Sequence, residues 1–252
     1  MGHKVNPRGI RLGITADWRA KWYAKPRDYA KLLHADLLAR ADLEKALKPA
    51  GVGLINIARA SNASEQSGKQ LVKITAHVAR PGVVIGKKGG AVERMKQRLE
   101  TIMGMPVNLS IQEVRKPELD AKLIAENIAS QLVRRVSHRR AMKRAIASAM
   151  RMGALGIKIR VAGRLGGTEI ARNETYQEGQ MPLQEFRAMI DRDTATAHTS
   201  SGAIGVAVSI YKKAETERAL SSRDLKDRIG RKPRTDRDKA PKGRAKTQVK
   251  KG

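Results

Sequence analysis

The 252-residue chain has no cysteine, which excludes disulfide staples and thiolate metal sites. Aromatic residues are nearly as scarce, at two Trp, four Tyr and one Phe. Any core must therefore be built from Leu, Ile, Val, Met and Ala. A sheet that stacks bases on aromatic rings, as an RRM does, is disfavoured for the same reason. No apolar run reaches the roughly 20 residues needed to span a bilayer. Met1 to Gly13 is polar and basic and lacks the hydrophobic segment of a secretory signal, so a cytosolic protein is expected. His3, His34, His77, His138 and His198 are scattered, with no HExxH or HxH spacing, and no GxSxG elbow occurs. The most basic region holds no carboxylate cluster of the kind a magnesium nuclease requires. Neither an enzyme, a cofactor nor a metal site is expected.

What the chain has in excess is positive charge. Lys and Arg number 52 against 24 Asp and Glu, a formal net charge of +28. Such a chain repels itself and attracts polyanions. An anionic membrane would need a basic amphipathic helix with bulky apolar residues opposite. The most basic segments lack Trp and Phe, so nucleic acid is favoured.

Residues 1–27 carry seven Lys/Arg and one acid, and Pro7, Gly9, Gly13 and Pro26 break any period. They read as an extended basic arm. Tyr29, Leu32, Leu33, Leu37, Leu43 and Leu47 then fall at helical spacing, until Pro49 and Gly51 stop it. Three strands are expected next. Leu54 to Ala58 is apolar around Asn56; Val72, Ile74, Ala76 and Val78 alternate with polar residues, as do Val107, Leu109 and Ile111. A polar loop from Ser61 to Gly68 joins the first two as a hairpin-like pair. Between the second and third come Pro81 to Ile85, a short glycine loop, and a helix with Val92, Met95, Leu99 and Ile102 on its buried face.

A second unit opens at Pro117, a plausible first helical residue. Leu119, Leu123, Ile124, Ile128, Leu132 and Val136 form its apolar stripe. Strands follow around Ile157 to Val161, more weakly over Ile170 to Tyr176, and over Ile204 to Ile210. Asp191 and Asp193 read as loop residues. Residues 211–252 hold sixteen Lys/Arg against six Asp/Glu and no apolar pattern, a disordered basic tail. The expected class is α+β. Its parts are the arm 1–27, an RNA-binding domain 28–116, an α+β domain 117–212 and the tail 213–252.

Three constellations carry the functional argument. The first is Gly86-Lys87-Lys88-Gly89, placed after a short apolar helix and before an amphipathic one. Glycines let a phosphate backbone approach closely, and amides and lysines can then meet its oxygens. This is the chemistry of a KH-type GxxG loop, which clamps about four nucleotides. GxxG matches also arise by chance in surface turns, so the surrounding element order carries the assignment. A Walker A loop is rejected, because only three residues separate Gly82 from Gly86 and Lys88 stands where Ser or Thr must hold magnesium.

The second is the run from Asn127 to Thr168, with ten Lys/Arg and no acid. Arg134, Arg135, Arg139, Arg140, Lys143 and Arg144 are expected on one helical stretch. Arg135, Arg139 and Lys143 would form one stripe, in a fan over roughly half the circumference. Like charges so close destabilise a free helix, and a merely solvated face would intersperse acids. A polyanion is expected there. The third is Gly163-Arg164-Leu165-Gly166-Gly167-Thr168, read evenly as a turn with positive-φ glycines or as a phosphate contact by Arg164.

Longer motifs then come together in order. They are Met1 to Pro7 with Gly9 to Ile14, Ala79 to Gly89, Glu113 to Ala121, Arg139 to Ala145, Ala162 to Gly167, and Ala197-His198-Thr199. Together they resemble the bacterial family of the third small-subunit ribosomal protein, from the first residue to about Lys212. The resemblance implies a type II KH domain, a three-stranded sheet packed by helices, followed by a C-terminal α+β domain. It implies a place in the head of the small subunit, bound to rRNA beside the tenth and fourteenth proteins. It also implies contact with mRNA at its entrance channel, near the fourth and fifth proteins, with Arg139, Arg140 and Lys143 at the positions that help unwind message. Lys4, Arg8, Arg11, Lys158, Arg160 and Arg164 are further candidate rRNA contacts. The chain departs from the family over Asn173 to Gln180, which lacks the usual Trp before Tyr176 and has Gln at two positions commonly Arg. Loop 61–70 is longer than in many members, and Gly90-Ala91 replaces an acidic pair. A free KH-type regulator is the alternative; it would not need the basic arm and tail.

Overall fold

The computed structural model describes residues 4–60, 71–86 and 90–213. Loop 61–70, Lys87 to Gly89 and the tail beyond Lys213 lie outside the described residues. Two four-stranded sheets organise the rest, each with its own apolar core.

The first sheet has the order β1-β2-β3-β4, with β1 (Ala20–Lys21), β2 (Val52–Ala60), β3 (Leu71–Val78) and β4 (Val107–Glu113). β2 and β3 pair antiparallel, while β4 runs parallel to β3. A parallel return needs a crossover, which α2 (Pro81–Ile85) and α3 (Gly90–Met103) supply. This is the helix–strand–strand–helix–helix–strand order of a type II KH domain. The fourth strand is an addition. Part of the basic arm pairs parallel with β2, with Ala20 opposite Ile57, so the arm is built into the fold.

Helix α1 (Pro26–Leu47) starts with Pro26 at its first position and buries a narrow stripe of Asp36, Ala39, Leu43 and Leu47. Tyr29, Leu33 and Leu37, at helical spacing in the sequence, are exposed. Leu99 and Met103 of α3 close the core over Ile57, Ile74 and Val107, and Val92, Met95 and Ile102 pack at its margin.

The second sheet has the order β6-β5-β8-β7, antiparallel throughout. Its strands are β5 (Gly156–Gly163), β6 (Arg172–Gly179), β7 (Met189–Thr199) and β8 (Gly202–Lys212). Helix α4 (Ala121–Val133) packs on β7 and β8, and α5 (His138–Arg151) on β5 and β6. β7 corrects the expectation of a loop around Asp191 and Asp193. Opposite Ile210, Val208, Val206 and Ile204, its core-side residues are Asp191, Asp193, Ala195 and Ala197. Two carboxylates and two methyl groups leave no apolar alternation to read.

Asp120 caps α4, its Oδ1 accepting from the N–H groups of Lys122 and Leu123 at 3.0 and 3.3 Å. It also lies against β2, where a Cβ on Gly53 would stand 2.4 Å from its Oδ2. Burial, helped by neighbouring Asp191, pushes the Asp120 carboxyl up. Burial opposes the charge on Asp191 too, but the ammonium of Lys212 at 3.0 Å holds its carboxyl below the usual range. A carboxyl raised on folding favours the folded state most at low pH, and that contribution is lost as pH rises through the raised value. Asp120→Asn keeps a good cap while removing the buried charge. It should therefore leave thermal stability at pH 7 equal or higher and flatten its pH dependence, whereas Asp120→Ala should cost about 1 kcal/mol. Equal losses from Asn and Ala across pH 4–7 would refute this.

Candidate nucleic-acid interface

The cationic run does not form one helix. α4 ends with the Arg135 N–H bonded to Leu132 O at 3.0 Å and the Val136 N–H to Gln131 O at 3.1 Å, a Schellman closure. Arg135 takes the left-handed position there, with φ 61°, where glycine is usual. Arg134 and Arg135 therefore sit in the turn, and the expected Arg135–Arg139–Lys143 stripe is broken. Nothing in the periodicity marks this stop, because the residue at the closure is arginine and not glycine. What α5 keeps is compact. Arg139, Arg140, Lys143, Arg144 and Arg151 are all exposed. At about 100° per residue they share an arc of roughly 140° with Ala147, which is small enough to leave the cations uncovered. Ala141, Met142, Ile146 and Ala149 are buried on the other side.

The acid missing from residues 127–168 is supplied by the fold. Glu174 on β6 reaches the N-terminal turn of α5, with His138 Nε2 at 3.1 Å, Arg139 Nε at 3.4 Å and Arg172 Nε at 3.5 Å. The bond from Arg139 is the main reason the Glu174 carboxyl is held below the usual range. His138 is buried beside this carboxylate, and its Nε2 makes no hydrogen bond. Arg139 is thus tied by long, exposed contacts, while Arg140, Lys143 and Arg144 form no ion pair among the described residues.

Of the glycine loop, Gly86 is described. It ends α2 at φ 61°, its N–H on Gly82 O at 3.2 Å. Lys87, Lys88 and Gly89 lie outside the described residues. Val83 and Ile85 are exposed just before the loop.

The other candidate contacts divide. Lys4 is exposed, and Arg8 is half-buried near Asp191 and Asp193, with burial the main influence holding its guanidinium below the ordinary range. Arg11 is not a surface residue. It is 1% exposed, and its guanidinium donates to the carbonyls of Pro7, Pro182, Leu183, Glu185 and Ala188. Arg164 is spent on a turn: Nε donates to Thr168 O at 2.9 Å and one terminal nitrogen to Ser201 O at 3.1 Å. Gly163, Gly166 and Gly167 all have positive φ in that turn. Lys158 and Arg160 project from β5 on the face away from the helices. Arg192 of β7 shares that face and was hidden with its strand.

Comparison with known proteins agrees with this architecture. A KH domain family model matches residues 39–119, and the model "Ribosomal protein S3, C-terminal domain" matches 128–210. The chain is 52% identical over 235 residues to "Small ribosomal subunit protein uS3" of Hydrogenovibrio crunogenus, covering 93% of this chain and all of the relative. The protein of the same name from Coxiella burnetii is 56% identical over 84% of this chain and 90% of its own length. That of Xanthomonas oryzae pv. oryzae is 53% identical over 84% of each.

Proposed function

The chain belongs to the ribosomal protein S3 family, a structural and non-enzymatic part of the small ribosomal subunit with its rRNA, and from that membership we propose that α5 meets mRNA at the entrance channel. The observation that carries this is the exposed arc of Arg139, Arg140, Lys143, Arg144 and Arg151. Arg139, Arg140 and Lys143 hold message phosphates by charge, and translocation supplies the work of unwinding. A phosphate displaces Glu174 from Arg139 at little cost, because solvent screens exposed ion pairs and leaves them weak. The glycine loop from Gly86 to Gly89 clamps RNA backbone, and the exposed arm residue Lys4 adds rRNA contact. The neighbours are the tenth and fourteenth proteins in the head and the fourth and fifth at the channel, on cytoplasmic ribosomes.

R139A/R140A/K143A tests the reading. Three exposed charge contacts are individually modest and act together, so progress through a stable mRNA hairpin should slow roughly five- to thirtyfold. Unstructured message and subunit assembly should be nearly unaffected. Unchanged passage through the hairpin would overturn the assignment of α5.

A further inference from the structure

Both helices of the second domain pack on one face of its sheet, and the strand register defines the other. One row across the four strands reads Gln177, Lys158, Ser209, Arg192. The next reads Thr175, Arg160, Ala207, Thr194. A third runs through Ala162 and Gly205. These positions are exposed or half-exposed. Glu174, Glu178, Asp191 and Asp193 occupy the alternate positions, on the helix side. These three rows therefore hold cations and small polar groups with no carboxylate, while the row beyond them, Gly179, Gly156, Tyr211 and the buried Ile190, closes that end of the face with apolar bulk. Strands lie about 4.8 Å apart, so Lys158 and Arg192 project about 10 Å from each other across Ser209, with Arg160 about 6.5 Å along from Lys158. A shallow cavity of about 240 Å³ bounded by Lys4, Asn6, Arg192, Asp193 and Thr194 continues the patch around the β7 edge.

We propose that this outer sheet face docks on the phosphate backbone of rRNA and anchors the second domain, with α5 presented on the opposite side. The inference rests on the ribosomal reading given above. Charge complementarity selects the occupant. Three cations without an acid suit a polyanion, and the hydroxyl and amide groups between them suit phosphate oxygens and 2′-hydroxyls. Over these three rows an apolar protein surface would meet cations and small polar groups and little apolar area. The sheet separates this face from the α5 arc, so one RNA segment does not serve both. The pair of surfaces divides the work: a fixed RNA on the sheet, a moving one on the helix.

The test places a photo-crosslinking residue at Ser209, between Lys158 and Arg192, in full-length chain assembled into small subunits. The expected product is a crosslink to one or two adjacent rRNA sites, with Lys158 amine-reactive in the free chain and protected in the subunit. A crosslink to a ribosomal protein or to message, or Lys158 equally reactive in both states, overturns the proposal. In parallel, K158Q/R160Q/R192Q should lower the slope of log affinity for purified small-subunit rRNA against log salt by about 2–3. An unchanged slope in a folded variant also overturns it. Subunits carrying this variant should read hairpins normally, which R139A/R140A/K143A subunits should not. The two proposals therefore fail separately, and the Ser209 crosslink decides even where the triple variant misfolds.

Discussion

Alanine at position 11 should cost about 3–5 kcal/mol of stability and release the chain between β6 and β7 from the basic arm. Arg11 Nε donates to Ala188 O at 2.8 Å, and its terminal nitrogens reach Pro7 O at 2.8 Å, Glu185 O at 2.7 Å, Leu183 O at 3.1 Å and Pro182 O at 3.2 Å. One planar fork thereby gathers five carbonyls from two segments far apart in sequence. Truncation leaves those carbonyls to water or to nothing, and an unpaired buried carbonyl costs about 1–3 kcal/mol. Lysine is no substitute, because an ammonium has three donors and no fork. Arg11→Lys should recover less than half of the loss. Urea unfolding of the full chain reads the stability, and limited proteolysis within residues 180–188 reads the release. An Arg11 that served RNA instead would behave differently. Its alanine variant would unfold like wild type and bind RNA as weakly as Lys4→Ala does.

Arg11 also shows where sequence reading stops. Composition gives its charge, and its place in a basic arm suggests solvent or RNA. Four of the five carbonyls that claim it belong to a loop more than 170 residues away, so no local pattern reveals them. The first sheet was legible because Val72, Ile74, Ala76 and Val78 show a period of two and α3 a period near four, both set by local backbone geometry. β7 was illegible because Asp191 and Asp193 stand where apolar residues would mark a core face. Those aspartates are solvated from inside, by Lys212 at 3.0 Å and Arg19 at 3.6 Å. The cationic helix was legible as a charge cluster but not in extent, since a left-handed arginine ended α4. Glu174 could have been suspected. It is an acid close after the cationic run, in a segment the sequence marks as a weak strand, and only the fold shows that it faces α5.

A second buried arginine should respond differently to single and paired substitution. Arg59 on β2 and Asp36 on α1 form an ion pair with both side chains 5% exposed. Asp36 also accepts from Trp22 Nε1 at 2.7 Å, and the Arg59 guanidinium lies 5.6 Å from the Trp22 ring centroid. Arm, helix and sheet thus meet at one carboxylate. Asp36→Ala leaves a guanidinium buried with few partners, since its Nε already lacks one, and should cost about 3–5 kcal/mol. The pair itself need not be worth that much, because burying two charges consumes most of their attraction. Replacing both by apolar residues of similar volume removes the desolvation cost along with the attraction. Asp36→Leu with Arg59→Met should therefore be destabilised far less than the single variants sum to, a coupling of about 2–3 kcal/mol in a double-mutant cycle. The indole N–H loses its acceptor in that variant, so adding Trp22→Phe should recover about 1 kcal/mol more. Additive losses would mean that the three groups contribute separately, by packing alone. A large coupling would mean that the arm is locked to the KH domain through one buried carboxylate, and that the direction in which the arm leaves the first sheet is set at Trp22.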